Sequence, residues 1–367
     1  MKERNNSLDL LRIISMLMVL CNHILSWGGL IDGGTEPMSG AWLAGNTLFV
    51  FLLPAVNCFV LISGYFLCTA EFKLKRLVNL WVDCAFYNVG IYLIMCFCNQ
   101  AAFSITGLIR AVLVISMENY WFVTAYFLLY LLSPFLNLAI RAMDRKMHGL
   151  CCLVLLGVFS VAANLIYIVD FTSINGGYGL LWFCVIYVVA AYIRLYIPER
   201  IRFQKWTFPV FVLSALTICG EKYLAHLITP HIFGEVVMDS LFYSYNSIIA
   251  VICALSLFQF FRGLKIRWEF GNRLIRFFAP LTFAVYLIHA QPHFRDLYLF
   301  ALEPTFLANS PWMIPYVIGT TLVSALIFCM IEYVRKWLFK VVGIHKGVEK
   351  TSDKLQVWGK EKLERIL

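Results

Sequence analysis

Long apolar runs alternate with short polar connections along most of the chain. Ten such runs can be marked, at roughly 8–26, 45–68, 78–98, 120–140, 149–169, 179–197, 207–228, 241–261, 277–297 and 312–334. A helix needs roughly 20 predominantly apolar residues to cross the hydrocarbon core, and the runs match that length. The pattern predicts an all-α protein, a polytopic membrane bundle of about ten transmembrane helices. It divides the chain into a membrane domain over 1–340 and a charged tail over 341–367. The tail is expected to be solvated or to lie on the membrane. The stretch 103–117 is apolar but short and carries Arg110 in its middle. It is expected to be an interfacial or re-entrant helix, not a span. The run at 207–228 ends in Glu221, Lys222 and His226, which suit an interface better than the bilayer centre.

Composition agrees with this pattern and excludes several classes. The chain is 61% hydrophobic and 14% charged, against about half and a quarter for a soluble domain. A soluble enzyme, a disordered protein and a disulfide scaffold are all excluded. The net charge of +9 is first a topology signal. With the N-terminus inside, the inner segments hold 25 of the 30 Lys and Arg residues. Both termini are therefore expected to be cytoplasmic. Nearly all of the twelve cysteines lie inside apolar runs, and no C-x-x-C pair occurs. They read as small buried apolar residues, not as a zinc or redox site. Lys2 and Arg4 precede the first run, which reads as an uncleaved first helix.

Ionisable residues inside spans are costly and are functional candidates by default. The first run carries Arg12 and His23, eleven residues apart. Eleven residues are close to three helical turns, so the two side chains leave nearly the same face, about 16 Å apart along the axis. Asp9 is one turn before Arg12 and is placed to hold its guanidinium. An arginine can grip phosphate or carboxylate by forked hydrogen bonds, and a neutral histidine is a good general base. Snorkelling of Arg12 and a simple interfacial role for His23 explain the pair equally well. Ser63, Gly64 and Tyr65 end the second run, just before the basic Lys73, Lys75 and Arg76. Trp121, Tyr126, Tyr130 and Pro134 recur at helical spacing in the fourth. His289 and His293 are four apart on one helix face at the end of the ninth, a spacing at which two His can bind a metal. No third ligand accompanies them, so no metal is expected. Glu332 and Arg335 read as a local ion pair.

Taken in order, these residues resemble acyltransferase family 3, integral-membrane O-acyltransferases of cell-surface polysaccharides. The resemblance covers about residues 6–340. Its elements are Leu8, Asp9, Arg12 and His23, then Phe59, Ser63, Gly64 and Tyr65. The basic Lys73 and Arg76 follow, then Trp121, Phe122, Tyr126, Tyr130 and Pro134, and finally Tyr286, Leu287, Ile288 and His289. The pattern departs from the family in lacking a proline after the basic segment and in having Asn119-Tyr120 before Trp121.

The resemblance implies transfer of an acyl group, most often acetyl, from acyl-CoA to a hydroxyl of a glycan or glycolipid. It implies His23 as general base or acyl carrier, with Arg12 as its catalytic companion on the CoA side. Arg12, Lys73, Arg76, Ser63 and Tyr65 are expected to hold the donor, and Trp121, Tyr126 and His289 the acceptor. Ser63 and Tyr126 are also placed to donate to an oxyanion, and Asp9 to support Arg12. Expected partners are membrane lipid, a glycan or lipid-linked glycan acceptor and glycan-assembly proteins, with no nucleic acid. The expected location is a bacterial plasma (inner) membrane. The alternative class is a transporter or exporter of a glycan- or lipid-linked substrate. Against it, the spans carry no chain of acidic residues, Asp83 being the main exception.

Overall fold

A computed structural model describes residues 5–31, 33–116, 120–165 and 174–364. Among these residues all regular structure is helical. The helices are α1 (Asn6–Ser26), α2 (Gly40–Leu52), α3 (Ala55–Leu67), α4 (Leu74–Phe97), α5 (Ile105–Val112), α6 (Trp121–Arg141), α7 (Arg145–Leu156) and α8 (Ala163–Leu165). A π-helical segment, Gly157–Ala162, joins α7 to α8. After it come α9 (Leu180–Tyr196), α10 (Thr207–Phe233), α11 (Ile248–Gly263), α12 (Glu269–Phe278), α13 (Thr282–His289), α14 (Pro292–Leu302), α15 (Met313–Val342) and α16 (Ile344–Glu364).

Among the described residues, seven helical stretches are long and apolar enough to cross a membrane, and Leu180–Tyr196 and Ile248–Gly263 are shorter apolar helices. Both shorter ones fall where spans were expected. The run at 45–68 is two helices, α2 and α3, meeting at Leu53 and Pro54. The run at 277–297 is not one helix. It is cut by a turn at Ala279–Leu281, around Pro280, and again before Pro292. Pro292 lacks an N–H and opens α14 at its first position, where Gln291 accepts from the Phe294 N–H at 2.8 Å. This break corrects the expectation that His289 and His293 share a helix face. His289 ends α13, while the His293 ring packs 5.5 Å from Tyr92. Within the stretch expected not to span, α5 is eight residues long, too short to cross a membrane, and lies beside the end of α4. The Ser104 N–H donates to the Tyr92 hydroxyl there.

The buried centre is α1, α3, α9 and α11. Helix α1 packs against α2, α3, α11, α12, α13 and α15, and α3 against α1, α9 and α11. Gly64 lets α3 approach α9 closely. A Cβ there would sit 2.9 Å from Ala190 Cβ and 3.1 Å from Tyr187 Cα, the small-residue contact that helices in lipid favour. The outer helices α4, α6, α7, α10 and α15 expose apolar side chains such as Phe135, Leu153, Leu213 and Val323. These suit lipid, where a soluble protein would carry charge. The tail helix α16 does not stand free. It lies along the start of α4, where Lys75 pairs with Glu349 at 2.6 Å and the Leu74 N–H donates to Gln356 Oε1.

Candidate functional site

The site is built on α1. Asn5 caps the helix by accepting from the Leu8 N–H, and Asp9 lies in its first turn, where negative charge suits the helix dipole. Asp9 is buried and accepts from Arg12 Nη1 at 2.8 Å. The guanidinium is thereby held one turn inside the helix, over the Phe66 ring at 5.5 Å. Arg12, Met16, Val19 and His23 follow at steps of four, three and four residues. They form one stripe of the helix, and Met16, Val19 and His23 line one pocket.

Two other helices face this stripe. On α3 the facing positions are Val56, Phe59 and Ser63, and on α6 they are Phe122 and Tyr126. The Phe59 and Phe122 rings meet edge to face at 5.9 Å. The Tyr126 hydroxyl lies near Ser63, with Arg12, Arg76 and Tyr130 around it. The cleft thus has a polar end at Arg12, Ser63 and Tyr126, and a second end at His23. Ser63 and Tyr126 belong to the Arg12 end, about one helical turn below the pocket residues Phe59 and Phe122.

At the His23 end the cleft opens into an apolar pocket. Its walls include Leu52, Leu53, Val56, Phe59, Phe122 and Phe283, with Asn22, Trp121, Tyr245 and Tyr286 as polar contributors. Trp121 is half-buried on this wall, its ring 4.7 Å from Tyr178 and stacked at 6.2 Å on Tyr245.

His23 is held on two sides. Its ring stacks on Trp27 at 3.6 Å with 18° between the planes. Its Nδ1 lies 2.8 Å from Nε2 of His289. His289 is buried, and its own Nδ1 lies 2.5 Å from the Val285 carbonyl oxygen one turn back on α13. Helix α13 is tied to α6 by the Tyr120 hydroxyl, which donates to the Leu287 carbonyl at 2.7 Å. Arg295 stands over the far face of the site, 5.3 Å from the Trp27 ring.

The other expected residues fall in different places. Lys73 and Arg76 are exposed at the start of α4. The Tyr130 hydroxyl fixes that turn, accepting from the Lys73 N–H at 3.0 Å and donating to its carbonyl at 3.2 Å. Tyr65 is not on the cleft face of α3. It is buried on the opposite side, where Arg194 Nη1 donates to its hydroxyl at 2.8 Å, because two residues along a helix rotate a side chain about 200°. Trp27 and Val285 were not singled out from the sequence, and Tyr130 was named there only as part of a helical pattern, without a contact to Lys73. The signal for the Met16 and Val19 wall was present in their spacing from Arg12 and His23.

One comparison with known proteins bears on this geometry. The family model for the acyltransferase domain, family 3, matches residues 5–331, which include all of the cleft. No curated protein and no solved structure matches the chain.

Proposed function

The chain belongs to acyltransferase family 3 and is a membrane acyltransferase, and from that premise we propose that it moves an acyl group, acetyl first, from acyl-CoA to a glycan hydroxyl. The observation that carries this reading is the stripe Arg12, Met16, Val19 and His23. It joins an anion-gripping end to an imidazole at the wall of a pocket. An acyl-CoA has the same order of parts, with phosphates at one end, an uncharged arm and the thioester at the other. Arg12 holds phosphate by its planar fork, and the exposed Lys73 and Arg76 add positive charge beside it. Ser63 and Tyr126, at the Arg12 end, contact the donor's arm. The acyl carbon then lies in the apolar pocket beside His23.

His23 takes the proton of the acceptor hydroxyl, and the oxygen bonds to the acyl carbon. The carbon–sulfur bond breaks, and the leaving thiolate takes the proton from His23. The products are an ester and CoA. Trp121 stacks on a sugar ring at the pocket mouth. In this reading the protein is a multi-pass protein of a bacterial plasma (inner) membrane, with both termini cytoplasmic. The donor enters at the Arg12 end, and the acceptor is a cell-surface glycan or glycolipid reaching the His23 end.

The test is label transfer. Membranes containing the protein receive acyl-labelled CoA and a crude surface-glycan fraction. Alkali-labile label on glycan is the expected result. Absence of transfer from any acyl-CoA to any glycan pool, with folded protein present, sinks the reading. The donor contact has its own test. A hydrogen bond to a charged group is worth about 1.5–3 kcal/mol, so Arg12→Ala raises the KM for acyl-CoA about 10- to 100-fold. Arg12→Lys keeps the charge but loses the fork and stays impaired. Wild-type KM in Arg12→Lys would show that phosphate is not gripped bidentately.

A further inference from the structure

We propose that His289 is a positioning residue that fixes the tautomer and the rotation of His23. The proposal rests on the reading of His23 as the base. One group in the relay has no choice. The Val285 carbonyl oxygen can only accept, so the proton between it and His289 belongs to Nδ1 of His289. In the neutral ring, Nε2 of His289 then carries a lone pair and accepts. Its partner at 2.8 Å is Nδ1 of His23, so His23 must donate from Nδ1. The remaining nitrogen of a neutral His23, Nε2, is left with its lone pair exposed to whatever occupies the pocket. A base needs that form.

The alternative assignment places a second proton on His289 and makes His23 Nδ1 the acceptor. It would put a buried cation near Arg295, whose partner is Asp296, while among the described residues no carboxylate is hydrogen-bonded or ion-paired to either histidine. Tyr286, whose ring lies 6.0 Å from His289, is no counter-ion either. The neutral relay is therefore the resting form. It also works during turnover. When His23 gains the acceptor's proton at Nε2, its Nδ1–H still points at the His289 lone pair, so the imidazolium is stabilised by a charge-assisted hydrogen bond.

The two restraints divide the work. Stacking on Trp27 sets the plane of the His23 ring, and His289 sets which edge faces the pocket. Without His289, the ring is free to turn over within its plane and to carry its proton on either nitrogen. The order is the one known for triads, in which a buried acceptor holds a histidine in its productive tautomer.

Three variants and one spectrum test this. His289→Leu removes the acceptor and is expected to lower kcat about 30-fold or more, a part of the ~10²–10⁴ that a positioned base supplies. The KM for acyl-CoA should stay near the wild-type value, since the donor's phosphates bind at the Arg12 end. His289→Gln keeps an acceptor near the position of Nε2 and should recover most of the loss. A merely structural role would move KM and yield with kcat and would show no rescue. Nitrogen-15 spectra of histidine-labelled protein in detergent should show His23 protonated at Nδ1, with the signal redistributed in His289→Leu. His23 found protonated at Nε2 in the wild type overturns the proposal whatever the rates. His23→Asn distinguishes the two levels. If it is inactive while His289→Leu is fully active, the positioning role fails alone. If it is active, the reading of His23 as base fails with it.

Discussion

His23→Ala protein, inserted and recovered at wild-type abundance, transfers no acyl group above background. A positioned general base contributes ~10²–10⁴ in rate, or about 3–5 kcal/mol at 1.36 kcal/mol per tenfold. No other imidazole is placed to replace it among the described residues of the pocket, because His289 is engaged by Val285 and by His23 itself. Alanine also leaves the His289 lone pair without a partner, and an orphaned buried acceptor costs about 1–3 kcal/mol. Loss of activity with loss of protein would then be ambiguous. His23→Asn removes the ambiguity, since its amide can donate to His289 where Nδ1 did but cannot carry a proton between acceptor and thiolate. The expected result is wild-type yield and unfolding midpoint with no transfer. Activity in purified His23→Asn would end the mechanism. Incubation of the wild type with labelled acyl-CoA and no acceptor separates the two histidine chemistries. Label retained on the protein and lost in His23→Asn identifies an acyl-histidine intermediate, and an unlabelled protein identifies direct transfer.

Hydropathy located the apolar helices well where they run unbroken. Helices α1, α4, α6 and α9 fall within a few residues of the expected runs, while α15 continues to Val342, beyond the expected end at 334. It failed at prolines, and not uniformly. Pro134 stays inside α6, where the neighbouring Ser133 hydroxyl donates to the Tyr130 carbonyl at 2.7 Å. Pro54 instead ends a helix, and Pro292 starts one. Which outcome a proline has depends on what satisfies the freed backbone groups, and that is supplied by neighbours distant in sequence. A windowed average over 277–297 registers mean hydropathy and not the position of Pro292, so the break that separates His289 from His293 is invisible to it.

The site was legible to the same extent. Helical spacing alone puts Arg12 and His23 on one stripe and Asp9 beneath Arg12, and the structure has both. Spacing does not show that His23 meets His289, because 266 residues separate them. Nor does it show that the Tyr130 hydroxyl ties down the backbone at Lys73, 57 residues earlier. Periodicity reports which face of an element a residue shares, not which element that face meets. Tyr65 illustrates the converse, since two residues beyond Ser63 it necessarily points away from the cleft, into the contact with Arg194.

The largest expected effect on folding lies away from the cleft, at Arg335. Glu332 and Arg335 read as a local pair from their spacing, but the pair is part of a clamp between α15 and α4. Arg335 grips Glu332 with Nε and Nη2 at 2.6 and 2.7 Å, and its Nη1 donates to Asp83 at 2.7 Å. The Tyr87 hydroxyl adds a hydrogen bond to Glu332 at 2.6 Å, and Lys336 lies 3.6 Å from the same carboxylate. The Arg335 and Glu332 side chains are 2% and 5% exposed, so neither can turn to water for compensation. Removing one partner of a buried pair leaves an uncompensated charge and costs about 3–5 kcal/mol. Arg335→Met should therefore lower the unfolding midpoint in detergent sharply and reduce the yield of folded protein. Replacing both partners with apolar residues of similar volume is often close to neutral. Arg335→Met combined with Glu332→Leu should thus recover much of the loss, with Asp83 left beside Lys336 in a more exposed position. A double variant no more stable than Arg335→Met would show that the arginine acts through Asp83 and the α4 contact, not through its pair with Glu332.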